Sequence, residues 1–349
     1  MAKIGYWSNL KGDSVVSDGQ VLKSRSLLAK LKQHFSDGNI FVVDVHRWKR
    51  RPVRTFFKTI KMIKKSETII ISTSYGGLNL ILKIINLLFK KRQNDFILIA
   101  VGGRLNKYAE ENKTNMKLLK GFKTVLVQGT AQMVELKNLG FINVEVFPNF
   151  REYHPILKKY DSPSKKNIDL CVFSRITKEK GVSDAIQAVY EANKILGENI
   201  FSVDFYGNIA EDYKNEFFSE LDLLGENGKY KGVAKSEEAP GILCNYFLLL
   251  FLTYHNGEGQ AGTILDSYFA GIPVIATKWN LNSEFVFENK NGYLVNIKSP
   301  KEAAEKLVYA YENFEQTNSM RKEASLLAEQ YTPNKVMPIL LKYLQGSNK

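Results

Sequence analysis

Residues 254–277 read Tyr-His-Asn-Gly-Glu-Gly-Gln-Ala-Gly-Thr-Ile-Leu-Asp-Ser-Tyr-Phe-Ala-Gly-Ile-Pro-Val-Ile-Ala-Thr. Two acids, Glu258 and Asp266, stand eight positions apart. Gly257, Gly259 and Gly262 form a turn beside the first acid, and an apolar helix carries the second. Gly271 and Pro273 end that helix, and Val-Ile-Ala begins a buried strand. A turn of this kind exposes backbone N–H groups at a helix N-terminus, which together with the helix dipole suit a phosphate. Asp266, at i+4 from Gly262, faces the same end as those groups. Glu258 lies before the turn, on the far side of any bound phosphate. One acid can reach the ribose of a nucleotide and the other a sugar beyond its pyrophosphate.

Outward from this stretch the chain alternates buried strands with helices. Toward the N-terminus the pattern predicts strands at 247–253, 230–231, Phe201–Tyr206 and 169–174, with helices at Val182–Leu196 and 211–224. Toward the C-terminus it predicts a short strand after Asn291-Gly292 and helices at 300–316, 319–330 and 333–344. The first half repeats the theme, with strands at 3–7, 39–45, 68–72, 96–101, 123–128 and 144–147. Its helices are expected at Gly19–Phe35, 52–65 and 78–89. Apolar strands alternating with helices imply an α/β protein with two doubly wound, Rossmann-like parallel sheets. A length of 349 residues also suits two domains. Pro148, Pro155 and Pro163 mark the junction. The expected division is a first domain at 1–150, a linker at 151–166, a second domain at 167–332, and a helix at 333–349 packing back on the first. Facing halves of this kind are expected to leave a cleft at the carboxyl ends of both sheets, where ligands bind.

An apolar content of 44% is ordinary for a soluble protein. Cys171 and Cys244 lie in apolar contexts without metal-ligand spacing, so a reduced cytoplasmic setting is expected. The N-terminus runs straight into a strand, so no secretory leader is expected. No apolar run reaches the ~18–20 residues of a membrane span. The net charge of +13 is uneven: residues 1–160 hold 29 Lys+Arg against 11 Asp+Glu, and residues 161–349 hold 20 against 25. Such asymmetry points to a polyanion or an anionic membrane meeting the first half.

The two acids, with the flanking Ala-Gly-Ile-Pro-Val-Ile-Ala-Thr, resemble the acid-x7-acid signature of retaining glycosyltransferases of family 4, which have the GT-B fold. The second acid here is Asp rather than the usual Glu, and Ala261 stands where Gly is commoner. The resemblance implies that Glu258 holds donor-sugar hydroxyls and Asp266 the ribose. Gly259, Gln260, Ala261, Gly262 and Thr263 then form the donor turn. Arg175 and Lys180, in Phe-Ser-Arg-Ile-Thr-Lys-Glu-Lys-Gly-Val, resemble the family's Arg-x4-Lys pair. Two cations at a strand-to-helix turn suit a pyrophosphate that gains charge as a glycosidic bond breaks. By the same resemblance Gly207 and Asn208 line the donor cleft, and Lys231-Gly232-Val233 precedes the nucleobase position. Gly12 lets the backbone approach the donor phosphates. Gly102, Gly103 and Arg104 should line the acceptor side. From their positions, His46 at a strand end and His255 beside Glu258 can face ligand or serve as structural histidines, while His34 and His154 read as solvated.

The implied activity is transfer of a sugar from a nucleotide sugar, most often a UDP-sugar, to a lipid-linked or oligosaccharide acceptor. The product would retain its configuration, and the pathway would build capsule, exopolysaccharide or O-antigen. No cofactor and no metal are expected, since the chain contains no Asp-x-Asp. Two rivals are a catalytically silent nucleotide-sugar-binding subunit and a sugar-nucleotide epimerase.

Residues 47–65 hold nine Lys+Arg and no acid. Val53, Phe56, Phe57, Ile60 and Ile63 recur there at helical spacing. Such a helix can lie on an anionic bilayer through Arg50, Arg51, Arg54 and Lys58, which would place the protein at the inner face of the cell membrane. Alternatively Phe56, Phe57 and Ile60 pack on the sheet beneath a solvated basic face. No nucleic-acid-binding module accompanies the charge.

Overall fold

The apolar runs become the strands of two parallel sheets. A computed structural model describes residues 2–11, 19–161 and 168–344. The chain divides into two units, residues 1–150 with 333–349, and residues 151–332. In the first, β1 (Ala2–Ser8), β2 (Ile40–Asp44), β3 (Ser66–Ser72), β4 (Phe96–Ile99), β5 (Thr124–Val127) and β6 (Val144–Val146) lie in the order β2-β1-β3-β4-β5-β6, each pair parallel. Helices cover both faces, so strands such as Ile69-Ile70-Ile71 can be apolar throughout. Ile69 and Ile71 join Met62, Ile81 and Leu82 on one face. Ile70 joins Leu27, Leu31 and Ile97 on the other, together with Val336 and Leu340 of the helix Pro333–Leu341.

The second unit holds β7 (Ile168–Phe173), β8 (Phe201–Tyr206), β9 (Gly228–Gly232), β10 (Leu248–Phe251), β11 (Val274–Thr277) and β12 (Gly292–Val295). Their order is β12-β11-β10-β7-β8-β9, again all parallel. The stretch read as a linker is, through residue 161, a packed part of this unit. Ile156 N–H donates to the Phe269 carbonyl at 2.8 Å, and Ser325 Oγ donates to the Ile156 carbonyl at 2.8 Å. The buried Arg321 guanidinium donates to the carbonyls of Lys158, Tyr246 and Cys244 at 2.5, 2.8 and 2.7 Å. The prolines signalled an irregular path, which is correct, but these backbone bonds anchor it.

Three further helices, Leu105–Glu111, Lys113–Leu119 and Thr130–Asn138, are too short and too polar to show a clear period in the sequence. The helix expected at 78–89 starts at Tyr75 and ends in a π-helical turn, Ile85–Phe89. The helix expected at 211–224 is α-helical only over Lys214–Leu221, with 3-10 turns at Glu211–Tyr213 before it and Asp222–Asn227 after it, the latter broken where Gly225 takes φ +53°. Among the described residues no helix is long and apolar enough to cross a membrane.

The basic helix Pro52–Lys65 corrects the reading that packs Phe56 and Phe57 on the sheet. Thr55, Thr59, Met62 and Ile63 face inward. The Trp7 indole N–H, itself buried, donates to Thr59 Oγ1 at 3.0 Å. Val53 and Phe57 are 66% and 64% exposed, so the aromatic stripe points to solvent.

Lys23, on the helix Gly19–Phe35, is buried with its ammonium 5.9 Å from the Phe147 ring centroid and no hydrogen-bond partner among the described residues. Burial pulls its pKa down to about 7 from 10.5. The unfolded chain therefore binds the proton more tightly, and stability is lost as pH falls from 10.5 to 7, then stays level. Lys23→Met is expected to raise stability at pH 7 by about 2 kcal/mol or more, a discounted share of the shift. Urea unfolding should also show the gap between variant and wild type closing toward pH 10. An equal gap at both pH values would count against a buried ammonium.

Candidate active site

Strand order in the second unit reverses at β7, with β8 and β9 on one side and β10 to β12 on the other. The loops leaving β7 and β10 therefore diverge, and open α/β sheets bind ligands in the crevice this creates. These two loops, 174–181 and 252–261, carry most of the second-unit residues singled out in the sequence.

They meet in an ion pair. Lys180 Nζ bonds Glu258 Oε2, with both side chains nearly buried at 12% and 13% exposure. The ammonium also lies 5.7 Å from the Phe251 ring centroid. Behind the pair, Glu179 ties the loops together. Its carbonyl accepts from Tyr254 N–H at 2.9 Å and Thr253 Oγ1 at 3.2 Å, and its carboxylate contacts His255 Nδ1 at 2.6 Å. A third loop supports them: Trp279 Nε1 donates to the His255 carbonyl at 2.9 Å, and Asn280 Nδ2 to the Glu258 carbonyl at 3.2 Å. The His255 ring is thus held by Glu179, while the His255 carbonyl accepts from Glu258 N–H at 3.1 Å. Gly181 closes the turn at φ +72°, where a Cβ would fall 2.0 Å from the Leu252 carbonyl oxygen. Arg175 stands exposed outside the pair, and Lys178 pairs with Glu216 on the surface at 2.6 Å.

Past the buried Gly259, Gln260 and Ala261, the helix Gly262–Ala270 begins with no side-chain cap at Ala261. Thr263 Oγ1 donates to the Phe173 carbonyl at 3.1 Å, so its hydroxyl fastens the helix start to the end of β7. Asp266 is buried and engaged by Arg151, whose Nε donates to Oδ1 at 2.7 Å and Nη2 to Oδ2 at 3.4 Å. A Cβ at Gly262 would lie 2.4 Å from Arg151 Nη2, so this glycine makes room for the guanidinium. Burial raises the Asp266 carboxyl above its usual range, and Arg151 pulls it back only in part. For Arg151, burial opposes the charge but Asp266 outweighs it and holds the proton more firmly. Since a guanidinium does not deprotonate in proteins, we take the pair as ionic. Arg151 was not singled out in the sequence; it sits 115 positions from its partner.

The end of β8 adjoins the end of β7, where Tyr206 pairs with Phe173. Gly207 has φ +144°, and a Cβ there would meet the Ser174 carbonyl oxygen at 1.8 Å. The Gly207 N–H donates to the Gly232 carbonyl at 2.9 Å, and Tyr230 OH donates to the Gly207 carbonyl at 2.8 Å. Asn208 is exposed, and its carbonyl accepts from Ile176 N–H at 3.0 Å. Gly232 also has positive φ, +82°.

In the first unit, Gly12 lies outside the described residues. Gly102 takes φ +81°, and its carbonyl accepts from Gln132 Nε2 at 3.0 Å. Arg104 is exposed, its N–H donating to Tyr75 OH at 3.1 Å, and Tyr75 stacks on Tyr108 at 5.2 Å. Burial pushes both phenols up to about 12, so both remain hydrogen-bond donors at neutral pH. His34 and His154 are exposed.

Two doubly wound parallel sheets, one with a cation–acid pair at its switch point, have the architecture of the GT-B class. The chain belongs to the family described as glycosyl transferases group 1, which matches residues 152–326. It is 27% identical over 145 residues to the GtfA subunit of UDP-N-acetylglucosamine–peptide N-acetylglucosaminyltransferase from Streptococcus agalactiae, covering 41% of this chain and 27% of that protein. It is 29% identical over 167 residues to an uncharacterized glycosyltransferase of Methanocaldococcus jannaschii, covering 47% and 40%. The matches thus span between 27% and 40% of the length of these relatives. Among solved structures, HepE of Anabaena in complex with UDP superposes with a TM-score of 0.74 over 98% of this chain and 99% of HepE, at 16% identity.

Proposed function

We propose that this chain is a retaining, metal-independent glycosyltransferase of family 4. It would move a sugar from a UDP-sugar to a lipid-linked or oligosaccharide acceptor in building a surface polysaccharide. The observation that carries the reading is the Lys180–Glu258 pair across the switch point. A cation and an acid held together there can meet the two ends of a sugar diphosphate. HepE, crystallised with UDP, and the relative named for UDP-N-acetylglucosamine support the choice of nucleotide.

In this mechanism the bond from sugar C1 to the β-phosphate oxygen breaks and charge gathers on the diphosphate. Lys180, Arg175 and the N–H groups opening the helix Gly262–Ala270 stabilise it. Glu258 accepts from donor-sugar hydroxyls and Asp266 from the ribose. Gly207, Asn208 and the backbone of 259–261 shape the pocket. The acceptor oxygen attacks C1 on the face the diphosphate leaves, and its proton passes to a departing phosphate oxygen. Gly12, Gly102, Gly103 and Arg104 serve phosphate and acceptor from the first unit. The exposed Val53 and Phe57 on the basic helix favour peripheral docking at the cytoplasmic membrane face. Neutralising Arg50, Arg51 and Arg54 together is then expected to lower sedimentation with anionic vesicles.

A donor screen tests the assignment. UDP-, GDP- and dTDP-sugars are followed by NMR without acceptor and with EDTA. Slow hydrolysis of a UDP-sugar is expected, with the first anomer matching the donor and with loss of activity in Glu258→Gln. Absence of both turnover and saturable binding for every donor would overturn the reading.

A further inference from the structure

At the carboxyl ends of β1 and β2 the first unit contains a cavity of about 410 Å³, within the range of small-ligand sites. Six basic side chains line it: Lys11, Arg47, Arg50, Arg51, Arg54 and Lys58. The sequence shows only a basic stretch; the fold wraps that stretch into a concave wall. One acid, Asp44, shares the lining, and its Oδ1 already accepts from Leu10 N–H at 3.0 Å and His46 N–H at 2.9 Å. The cavity therefore carries a large excess of positive charge.

Several cations around one concavity repel one another, an arrangement that a flat solvated surface would relax by spreading the side chains. Two lining residues, Lys11 and Arg47, hold left-handed backbone at φ +51° and +56°. That conformation costs a non-glycine side chain on the order of 1 kcal/mol or more and gathers at sites that use it. The wall also contains the start of the helix Pro52–Lys65, whose N-cap residue, Arg51, makes no side-chain cap bond. Thr55, from the first turn, is part of the lining, its hydroxyl donating to the Arg51 carbonyl at 2.9 Å. Arginine forks and the positive end of a helix are partners a tetrahedral phosphate takes.

We propose that this cavity is a phosphate-binding site, distinct from the crevice of the second unit, that takes the phosphate or diphosphate group of a ligand. The source is a soluble phosphate ester or the headgroup of an anionic lipid. A discrete site differs from a diffuse basic surface in its dependence on the arginine fork. Arg→Lys keeps the charge and so keeps diffuse attraction, but it removes bidentate bonding.

The test uses the full chain and the double variant Arg51→Lys/Arg54→Lys. Both residues are exposed, and an unchanged melting temperature checks the fold. Inorganic pyrophosphate is titrated calorimetrically with UDP present in excess, so that the second unit's crevice is blocked. Pyrophosphate affinity is expected to fall at least about tenfold in the variant, which supports the site with a soluble source. If pyrophosphate does not bind but sedimentation with phosphatidic-acid vesicles drops tenfold in the variant, the source is a lipid headgroup. Equal behaviour of variant and wild type in both assays overturns the proposal. A UDP titration without heat would count against the transferase reading, while the comparison of variant with wild type still reports on the cavity.

Discussion

Glu258→Gln is expected to cut turnover at least about tenfold while UDP affinity holds or rises, and Lys180→Ala to weaken both. The opposite signs follow from the geometry. Glu258 and Lys180 form one nearly buried pair, so each sets the field felt by anything bound beside the other. Removing the carboxylate's charge leaves the ammonium free to face a diphosphate, which favours UDP. It also removes an acceptor from the sugar, which UDP lacks, so the loss appears only in turnover. Removing the ammonium leaves Glu258 a nearly buried carboxylate, 13% exposed, with Thr253 Oγ1 at 3.4 Å as its remaining side-chain partner among the described residues. That charge then repels the diphosphate. Losing a donor aimed at developing charge typically costs ~10²–10³ in kcat. Lys180→Ala is therefore expected at that level or beyond. Adding Glu258→Gln to Lys180→Ala should restore part of the UDP affinity, because the repelling charge is gone. Calorimetry with UDP and hydrolysis rates for the preferred donor give both quantities. Equal UDP affinity in wild type and Lys180→Ala would refute the phosphate assignment, and unchanged kinetics in Glu258→Gln the sugar assignment.

The strands were legible because they are buried on both faces. Ile69-Ile70-Ile71 and Leu248-Leu249-Leu250 have no polar position, and a parallel sheet between helix layers is where such runs belong. The loop–helix–strand unit around Glu258 and Asp266 was legible because its glycines and Pro273 punctuate it locally. Long-range polar pairing was not legible. Nothing near Arg151 marks it as the partner of Asp266, and nothing near Glu179 shows that it fastens two loops. The basic helix shows how a local pattern misleads. Phe56, Phe57 and Ile60 read as fit for the sheet as for solvent. The buried indole N–H of Trp7 needs an acceptor, and Thr59 supplies it, which turns the threonine face inward. That requirement lies 52 residues away in the sequence.

Arg151→Met is expected to destabilise the second unit by about 3–5 kcal/mol, the usual result of stranding one member of a buried ion pair. Both side chains are close to fully buried, at 10% and 9% exposure, so solvent screening offers little relief. The effect should depend on pH. Burial already raises Asp266, and Arg151 is what pulls it down. Without the guanidinium the folded-state pKa climbs further above the unfolded value of 3.8. A carboxyl raised in this way contributes stability below its unfolded pKa and loses it as pH rises through the folded value. The variant should therefore be nearer to wild type around pH 4 than at pH 8. Arg151→Met/Asp266→Leu removes both charges and should recover most of the lost stability, since an apolar pair can replace a buried ionic one. The double variant then separates two roles that the geometry joins. If Asp266 holds the ribose, the refolded double variant still binds UDP at least about tenfold more weakly than wild type, because its hydroxyl acceptor is missing. If UDP binds the double variant as it binds wild type, the pair is scaffold for the helix Gly262–Ala270, and the ribose contact lies elsewhere in the crevice.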